Sequence, residues 1–325
     1  MSKTPVRIGI WFEPSHISYG GPAQVLIGTI LGFLQAEDPP VILANEAGDL
    51  NWAFDKTQNL AEFEAKTRGL RRAIGPMCFT AGDFHVKDPS EHTVWNLGRR
   101  GDMLFLAPSF WFAKWISQGL PFYDLEKYQR PLAIWGGGVD ADWFCPSPVP
   151  RHLAIKRDFF VYFKSQNWTE LADVHSYLFT HYFRMRGITV QYYYYNHEEL
   201  RDLAQTSRFC IFMSTVETQG IASLEIMACG CPLFVIDPGQ FDHDGYTLKG
   251  ATSVTCWDDQ LCGMKSSMGR MEQDFPSFLT KLNSYIPHEF VERRYSLRAS
   301  AGHLGNLIAT SLPPALLGAN REGTS

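Results

Sequence analysis

At 325 residues the chain is long for one hydrophobic core and comfortable for two domains. A hydrophobic content of 45% against 19% charged residues excludes a disordered chain. A net charge of −5 gives no electrostatic case for nucleic acid or an anionic membrane as partner. No run of about 18 uncharged apolar residues is present, so no transmembrane segment is expected. The opening MSKTPVRIGIWF shows no apolar leader, and seven cysteines form no paired framework, so a reducing, cytoplasmic setting is expected.

Arg7–Phe12 (RIGIWF) has the apolar pattern of a first strand, followed by a loop rich in Gly, Pro and Ser over 13–21. Pro22–Gln35 carries no charge, which predicts a helix buried in a core. Between them, Gly20-Gly21 is a tight turn or, at a strand-to-helix corner, an anion cradle. Val41–Ala44 reads as the next strand, and Leu60–Ala73 as an amphipathic helix with Lys66, Arg68, Arg71 and Arg72 on a solvated face. Met77–Thr80 is a candidate strand leading to Ala81–His85. Met103–Ala107 is a firmer strand, Phe110–Gln118 an aromatic-rich helix, and Pro131–Trp135 a further strand. Strands alternating with helices predict a parallel, doubly wound first domain.

Residues 136–150, GGGVDADWFCPSPVP, break the composition and read as a junction. Asp140-Ala141-Asp142 is either a structural turn or a metal-binding triplet, and its place at the junction favours the turn. Asp158–Phe163 begins the second domain, followed by Lys164, whose simplest role is that of an exposed lysine. Trp168–Arg186 is read as a long helix ended by Gly187, and Ile188–Tyr195 as a strand whose four final tyrosines alternate faces. Glu198–Thr206 is a short helix. After the unit described next, Ser253–Trp257 is expected as a last strand, with helix from about Phe275 onward.

The stretch Phe209–Asp237 (FCIFMSTVETQGIASLEIMACGCPLFVID) organises the rest. Phe209–Met213 reads as a buried strand, Ser214–Gly220 as a polar loop, Ile221–Cys229 as a helix and Leu233–Asp237 as a second strand. Gly230 sits where a helix closes in the left-handed conformation, and Pro232 blocks its continuation. The helix start at Gly220, Ile221 and Ala222 offers free amides to an anion. Glu217 lies in the loop at the strand's carboxyl end, where open α/β sheets bind ligands. Glu225 falls on the apolar stripe of the helix, so it requires donors from the protein or from a ligand. The spacing alone equally allows a solvated Glu217 and a Glu225 paired with a nearby Lys or Arg. Cys229 and Cys231 flank Gly230 without further ligands and read as small buried residues.

Glu217-x-x-Gly220-Ile221, then Leu224-Glu225-x-Met227-Ala228-x-Gly230-x-Pro232, resembles the donor-site signature of retaining glycosyltransferases of the GT-B fold, family 4 type. Two glutamates eight positions apart frame the nucleotide-sugar site in that family, as Glu217 and Glu225 do here. Where the family has glycine-phenylalanine-glycine, this chain has Thr218-Gln219-Gly220. Gly138-Val139-Asp140 with Phe144 and Pro146 is similar to the segment closing the family's first domain, with Gly137 in place of the usual asparagine.

The resemblance implies two facing Rossmann-like, doubly wound parallel-sheet domains. The expected division is 1–145 on the acceptor side, 146–287 for the nucleotide sugar, and a helix over 288–317 crossing back. It implies a nucleotide-sugar donor (UDP or GDP), a glycan or other hydroxyl acceptor, retention of configuration and no metal or other cofactor. Glu217 would bind sugar hydroxyls, Glu225 the ribose, and Lys164 with the amides of Gly220–Ala222 the diphosphate. His85 would touch the donor sugar. Tyr195 and Asn196 would hold the base, and the Gly20-Gly21 loop would face donor and acceptor. A sugar-nucleotide epimerase of the same architecture and a non-catalytic nucleotide-sugar binder remain as alternatives.

Overall fold

The computed structural model describes residues 4–13, 21–55, 60–77, 103–113, 132–243 and 246–310. The chain divides into two compact units, one ending at Gly138 and resuming at Leu297, the other formed by Val139–Ser296.

In the first unit, strands β1 (Arg7–Trp11), β2 (Val41–Ala44), β3 (Leu50–Asp55), β4 (Arg71–Met77), β5 (Leu104–Ala107) and β6 (Leu132–Ile134) form a sheet in the order β2-β1-β3-β4-β5-β6. Every neighbouring pair is parallel. Helix α1 (Gly21–Leu34) packs on the last described helix, Leu297–Thr310, which returns to this unit. The expectation that α1 is buried all round is corrected: Ile27, Leu31 and Leu34 are exposed, while Val25, Leu26 and Phe33 are buried. The buried side is kept small because the two helices approach closely. A Cβ on Gly32 would lie 2.1 Å from the Leu297 carbonyl oxygen, and one on Gly28 2.8 Å from the Leu297 side chain. The returning helix is further hooked by Trp135, whose indole N–H donates to the Ser300 carbonyl at 2.9 Å, and by the Ser300 hydroxyl, which donates to the Gly136 carbonyl at 2.7 Å.

Two further expectations in this unit are corrected. The helix expected over 60–73 stops at Thr67 (α2, Leu60–Thr67), because Gly69 takes a left-handed φ of 81° and Arg71–Met77 pairs with β3 instead. Arg72 is consequently buried, not solvated, with its guanidinium donating to the Glu64 carbonyl. Strand β3 carries no strand signal in the sequence, since Asn51 interrupts its apolar run. Buried Asn51 is satisfied by the Gly48 amide and carbonyl and by the Arg71 carbonyl.

In the second unit, β7 (Arg157–Phe163), β8 (Gly187–Gln191), β9 (Ser207–Met213), β10 (Leu233–Ile236) and β13 (Gly263–Ser266) form a parallel sheet in the order β13-β10-β9-β7-β8. A hairpin of β11 (Gln240–His243) and β12 (Tyr246–Lys249) stands apart. The sheet is covered by α3 (Trp168–Tyr182), α4 (His197–Thr206), α5 (Ile221–Ala228), α6 (Met271–Lys281) and α7 (Pro287–Tyr295). Its central strands are apolar on both faces, as a doubly covered parallel sheet demands: Phe209–Met213 and Leu233–Ile236 are buried throughout. Three expectations change here. The helix from Trp168 ends at Tyr182, and Gly187 opens β8 against the Phe159 ring, which a Cβ would strike. The strand from Ile188 stops at Gln191, because Tyr193 adopts φ 74° and turns the chain. The last strand is Gly263–Ser266, not Ser253–Trp257, which is largely buried loop.

The packing of the returning helix on α1 depends on Gly32. Gly32→Ala is expected to lower stability by about 1–3 kcal/mol through overpacking against a backbone carbonyl. Denaturant unfolding checks this, and a variant as stable as the parent would refute the close approach.

Candidate functional site

The second sheet runs in the order 2-1-3-4-5 by its own strands, so successive connections wind in opposite directions from β7. Open parallel sheets bind ligands outside the carboxyl ends of the strands where this reversal occurs, which here is the seam between β7 and β9. The residues leaving these strands are Lys164 and the loop Ser214–Gly220.

Lys164 and Glu217 meet across that seam. The Lys164 ammonium lies 2.7 Å from Glu217 Oε1 and 2.9 Å from Oε2, and the Ser214 hydroxyl donates to Oε1 at 2.8 Å. The amides of Lys164 and Ser165 both donate to the Met213 carbonyl, at 2.8 and 3.2 Å, so the ammonium is launched from a fixed backbone. The Lys164 Nζ also stands 4.5 Å from the centre of the Tyr192 ring, a cation–π geometry. Glu217 is therefore an ion-paired carboxylate, not a solvated one.

Helix α5 starts at the end of this loop. Gly220 is its N-cap with φ 81° and ψ 60°, a left-handed conformation that glycine adopts without penalty, and no side chain caps the helix start. The Ser223 hydroxyl instead donates to the Gly220 carbonyl at 2.7 Å. At its far end the helix closes as expected, with Gly230 at φ 76°. The Gly230 amide donates to the Met227 carbonyl at 2.9 Å and the Cys231 amide to the Ile226 carbonyl at 3.4 Å, the two bonds of a Schellman closure.

Glu225 is 4% exposed, and its partner is neither Lys nor Arg. The His197 Nδ1 lies 3.2 Å from Glu225 Oε1. This hydrogen bond raises the His197 pKa above its ordinary 6.5, against a lowering by burial. Asn196, expected to hold a base, also serves the backbone through its side-chain oxygen. Its side chain accepts from the Glu199 amide at 2.9 Å, and the Glu199 carboxylate accepts from the Asn196 amide at 2.9 Å. That capping box fixes the start of α4 and so aims His197. Tyr195 is directed inward, its hydroxyl 3.0 Å from that of buried Tyr162. Burial pushes the Tyr195 phenol pKa up, with Glu225, Tyr192 and Glu217 adding to the rise. Burial likewise pushes Tyr192 up to about 12. Both phenols thus stay neutral donors beside the two carboxylates.

The structure therefore gathers Lys164, Glu217, Gly220, Ile221, Ala222, Glu225 and Tyr195 on the carboxyl side of one sheet. Of the remaining expected site residues, His85 and Gly20 lie outside the described residues. Gly21 is the first residue of α1 in the other unit, and a side chain there would meet nothing within 4 Å. Asp140 accepts from the Trp143 amide at 3.0 Å within a turn, and among the described residues no three His, Cys, Asp or Glu side chains gather as a metal site. The sequence reading missed Ser214, Tyr192 and His197. Ser214 bonds Glu217 within its own loop, while Tyr192 and His197 are brought in from elsewhere in the chain, which spacing alone does not reveal.

No protein-family model and no curated protein matches the chain. Solved structures do. An alpha-glucosyltransferase in complex with UDP and a 13-mer DNA is similar with a TM-score of 0.57 at 12% identity, over 94% of this chain and 100% of that one. The apo form of the lipopolysaccharide outer core galactosyltransferase WaaB gives 0.55 at 14%, over 94% and 100%. A sucrose-phosphate synthase from Thermosynechococcus elongatus gives 0.52 at 10%, over 97% and 100%. The likeness shows the fold: two parallel-sheet α/β domains of the GT-B type, shared with these glycosyltransferases. Among the described residues no helix is long and apolar enough to cross a membrane.

The His197–Glu225 pair has a definite pH signature. A histidine whose folded pKa is raised adds stability that is complete below its unfolded value of 6.5. That contribution is lost as pH rises through the folded value. The melting-temperature gap between the parent and His197→Gln is therefore expected to be widest near pH ~5.5–6.5 and to shrink above it. Thermal melts across pH check this, and a gap that does not vary with pH would show that the pair contributes no charge-dependent stability.

Proposed function

We propose that the protein is a glycosyltransferase that moves a sugar from a nucleotide-sugar donor to a hydroxyl group of a glycan or other acceptor. In this reading it retains the donor's anomeric configuration and works without a metal. The observation that carries the proposal is the meeting of Lys164 and Glu217 across the β7/β9 seam, directly before an uncapped helix start. The fold shared with glycosyltransferases supports it, and the UDP held by the alpha-glucosyltransferase structures makes UDP the first nucleotide to try.

The chemistry requires the bond between the sugar's anomeric carbon and the diphosphate to break while a bond to the acceptor oxygen forms. Negative charge grows on the departing diphosphate and positive charge on the sugar. In the proposal the amides of Gly220, Ile221 and Ala222 face the diphosphate as fixed dipoles that need no reorganisation. Lys164 adds a cation, sharing its ammonium between Glu217 and phosphate. Glu217 accepts from sugar hydroxyls on the other side of those amides. Glu225, one turn further into the helix and steadied by His197, accepts from the ribose. Tyr195 closes the nucleotide end. The Gly20-Gly21 loop is the candidate for the acceptor and His85 for the donor sugar, and the net charge of −5 favours a glycan over a nucleic acid.

The two glutamates are separable by experiment. Glu225→Gln is expected to weaken free UDP and the whole donor alike, by about 1.5–3 kcal/mol for one charge-assisted hydrogen bond. Glu217→Gln releases Lys164 from its counter-charge, so UDP binding is expected to hold or tighten while kcat falls. Calorimetry with UDP and GDP, then turnover with their sugars, checks both. Equal weakening of nucleotide binding by the two variants would refute the division of labour, and failure of the parent to bind any nucleotide sugar would refute the function. Transfer is expected to survive EDTA, and proton NMR of the first-formed product is expected to show the donor's anomer.

A further inference from the structure

The loop that carries Glu217 is held at two points, Glu217 and Gln219, by a segment with no regular structure. The Glu217 amide donates to the Thr252 carbonyl at 3.0 Å, and the Thr255 hydroxyl donates to the Gln219 carbonyl. That segment is deeply buried: Ala251, Ser253, Val254 and Cys256 are all 4% exposed or less. Buried irregular backbone has to find its hydrogen bonds in side chains, since no ladder or helix supplies them.

Lys265 on β13 supplies them. Its ammonium donates to the Thr252 hydroxyl at 2.8 Å and to the Val254 carbonyl at 2.6 Å, and it lies 3.6 Å from Asp237 Oδ2. Asp237, at the end of β10, accepts from the Thr252 hydroxyl and, through its other oxygen, from the Ser253 amide at 3.3 Å. The Trp257 ring covers the ammonium at 5.4 Å. The ammonium thus makes two hydrogen bonds to the segment and one ion pair to the carboxylate that also holds it. The chain of bonds runs from Lys265 to Thr252 to the Glu217 amide.

We propose that Lys265 is a positioning residue: it fixes the Thr252–Thr255 segment and, through it, the placement of Glu217 for turnover. This rests on the glycosyltransferase reading for its effect on kcat, but the clamp itself can be measured without any substrate. Burial lowers the Lys265 pKa, opposed by Asp237 and then Asp259, with the Cys256 thiol also near. An alkaline limb in kcat is therefore expected where this ammonium loses its proton.

The test uses the full chain and the variants Lys265→Met, Lys265→Arg and Thr255→Val. In Lys265→Met, hydrogen exchange over residues 215–220 is expected to accelerate about tenfold, with kcat lowered about tenfold and the Kd for UDP within about twofold. Lys265→Arg is expected to restore most of kcat and to move the alkaline limb upward, because a guanidinium keeps its proton. Thr255→Val cuts the clamp at its other end and carries the same exchange test should Lys265→Met not fold. Unchanged exchange over 215–220 in the folded variants would overturn the proposal. So would a parallel loss of kcat, UDP affinity and melting temperature that Arg does not rescue, since that is the mark of a merely structural lysine. A parent that binds no nucleotide sugar would refute the proposed function, leaving the exchange result to decide the clamp.

Discussion

The ion pair of Lys164 and Glu217 is the interaction on which the second unit's working edge depends. Its side chains are 29% and 12% exposed, so both charges have lost much of their water. Taking charges out of water costs several kcal/mol per ion when they are fully buried, and a pair offsets this only with good geometry and further hydrogen bonds. Here both are present: two short oxygen contacts, the Ser214 hydroxyl and the face of Tyr192. The pair also ties together the two loops that leave the neighbouring parallel strands β7 and β9.

The seam exists because of the sheet. With every pair parallel and both faces covered, connections must pass over one face or the other, and the chain reverses direction once, at β7. No helix can cover the carboxyl ends of β7 and β9 at that point, so the loops there are free to carry polar groups. Gly220 turns that freedom into geometry. A left-handed residue immediately before α5 brings the loop round sharply enough for Glu217 to lie beside the helix start, with its Cβ 3.4 Å from where a Gly220 side chain would sit.

Much of this is legible in the sequence, and the failures have physical causes. Doubly buried strands announce themselves as unbroken apolar runs, so β7, β9 and β10 fall within two residues of their expected ends. The helix closure at Gly230 is legible because only glycine sits there cheaply. Strand β3 is not, because a buried asparagine satisfied by backbone groups looks polar in sequence. Strand β13 is hidden for a similar reason: GMKS carries a lysine whose charge is absorbed by the Thr252 clamp, while the more strand-like SVTCW is the loop being clamped. The tyrosine run misleads because aromatics favour strands, whereas Tyr193 turns the chain and sends Tyr195 inward to Tyr162. For the candidate site, the two glutamates and the helix start are singled out by the family resemblance, since spacing alone leaves their roles open. Their partners are not, since His197 lies 28 positions before Glu225 and meets it only through tertiary packing.

The histidine facing Glu225 suits the role that the proposed function gives this carboxylate. A buried carboxylate held by a lysine or arginine would carry a permanent, strongly bound cation, and a ligand hydroxyl would have to compete with it. His197 meets one oxygen only, Oε1, through Nδ1, and the charge it adds grows as the pH falls. The approach of the ring is fixed from behind by the Asn196–Glu199 capping box, which settles the first turn of α4 without using any group of the His197 side chain. The ring stands half exposed and edge-on to Phe144, with centroids 6.1 Å apart, so an apolar wall limits its rotation. Glu225 is thereby oriented by one directional bond on a single oxygen. In the proposed function, that leaves the other oxygen of a buried carboxylate to accept from the ribose.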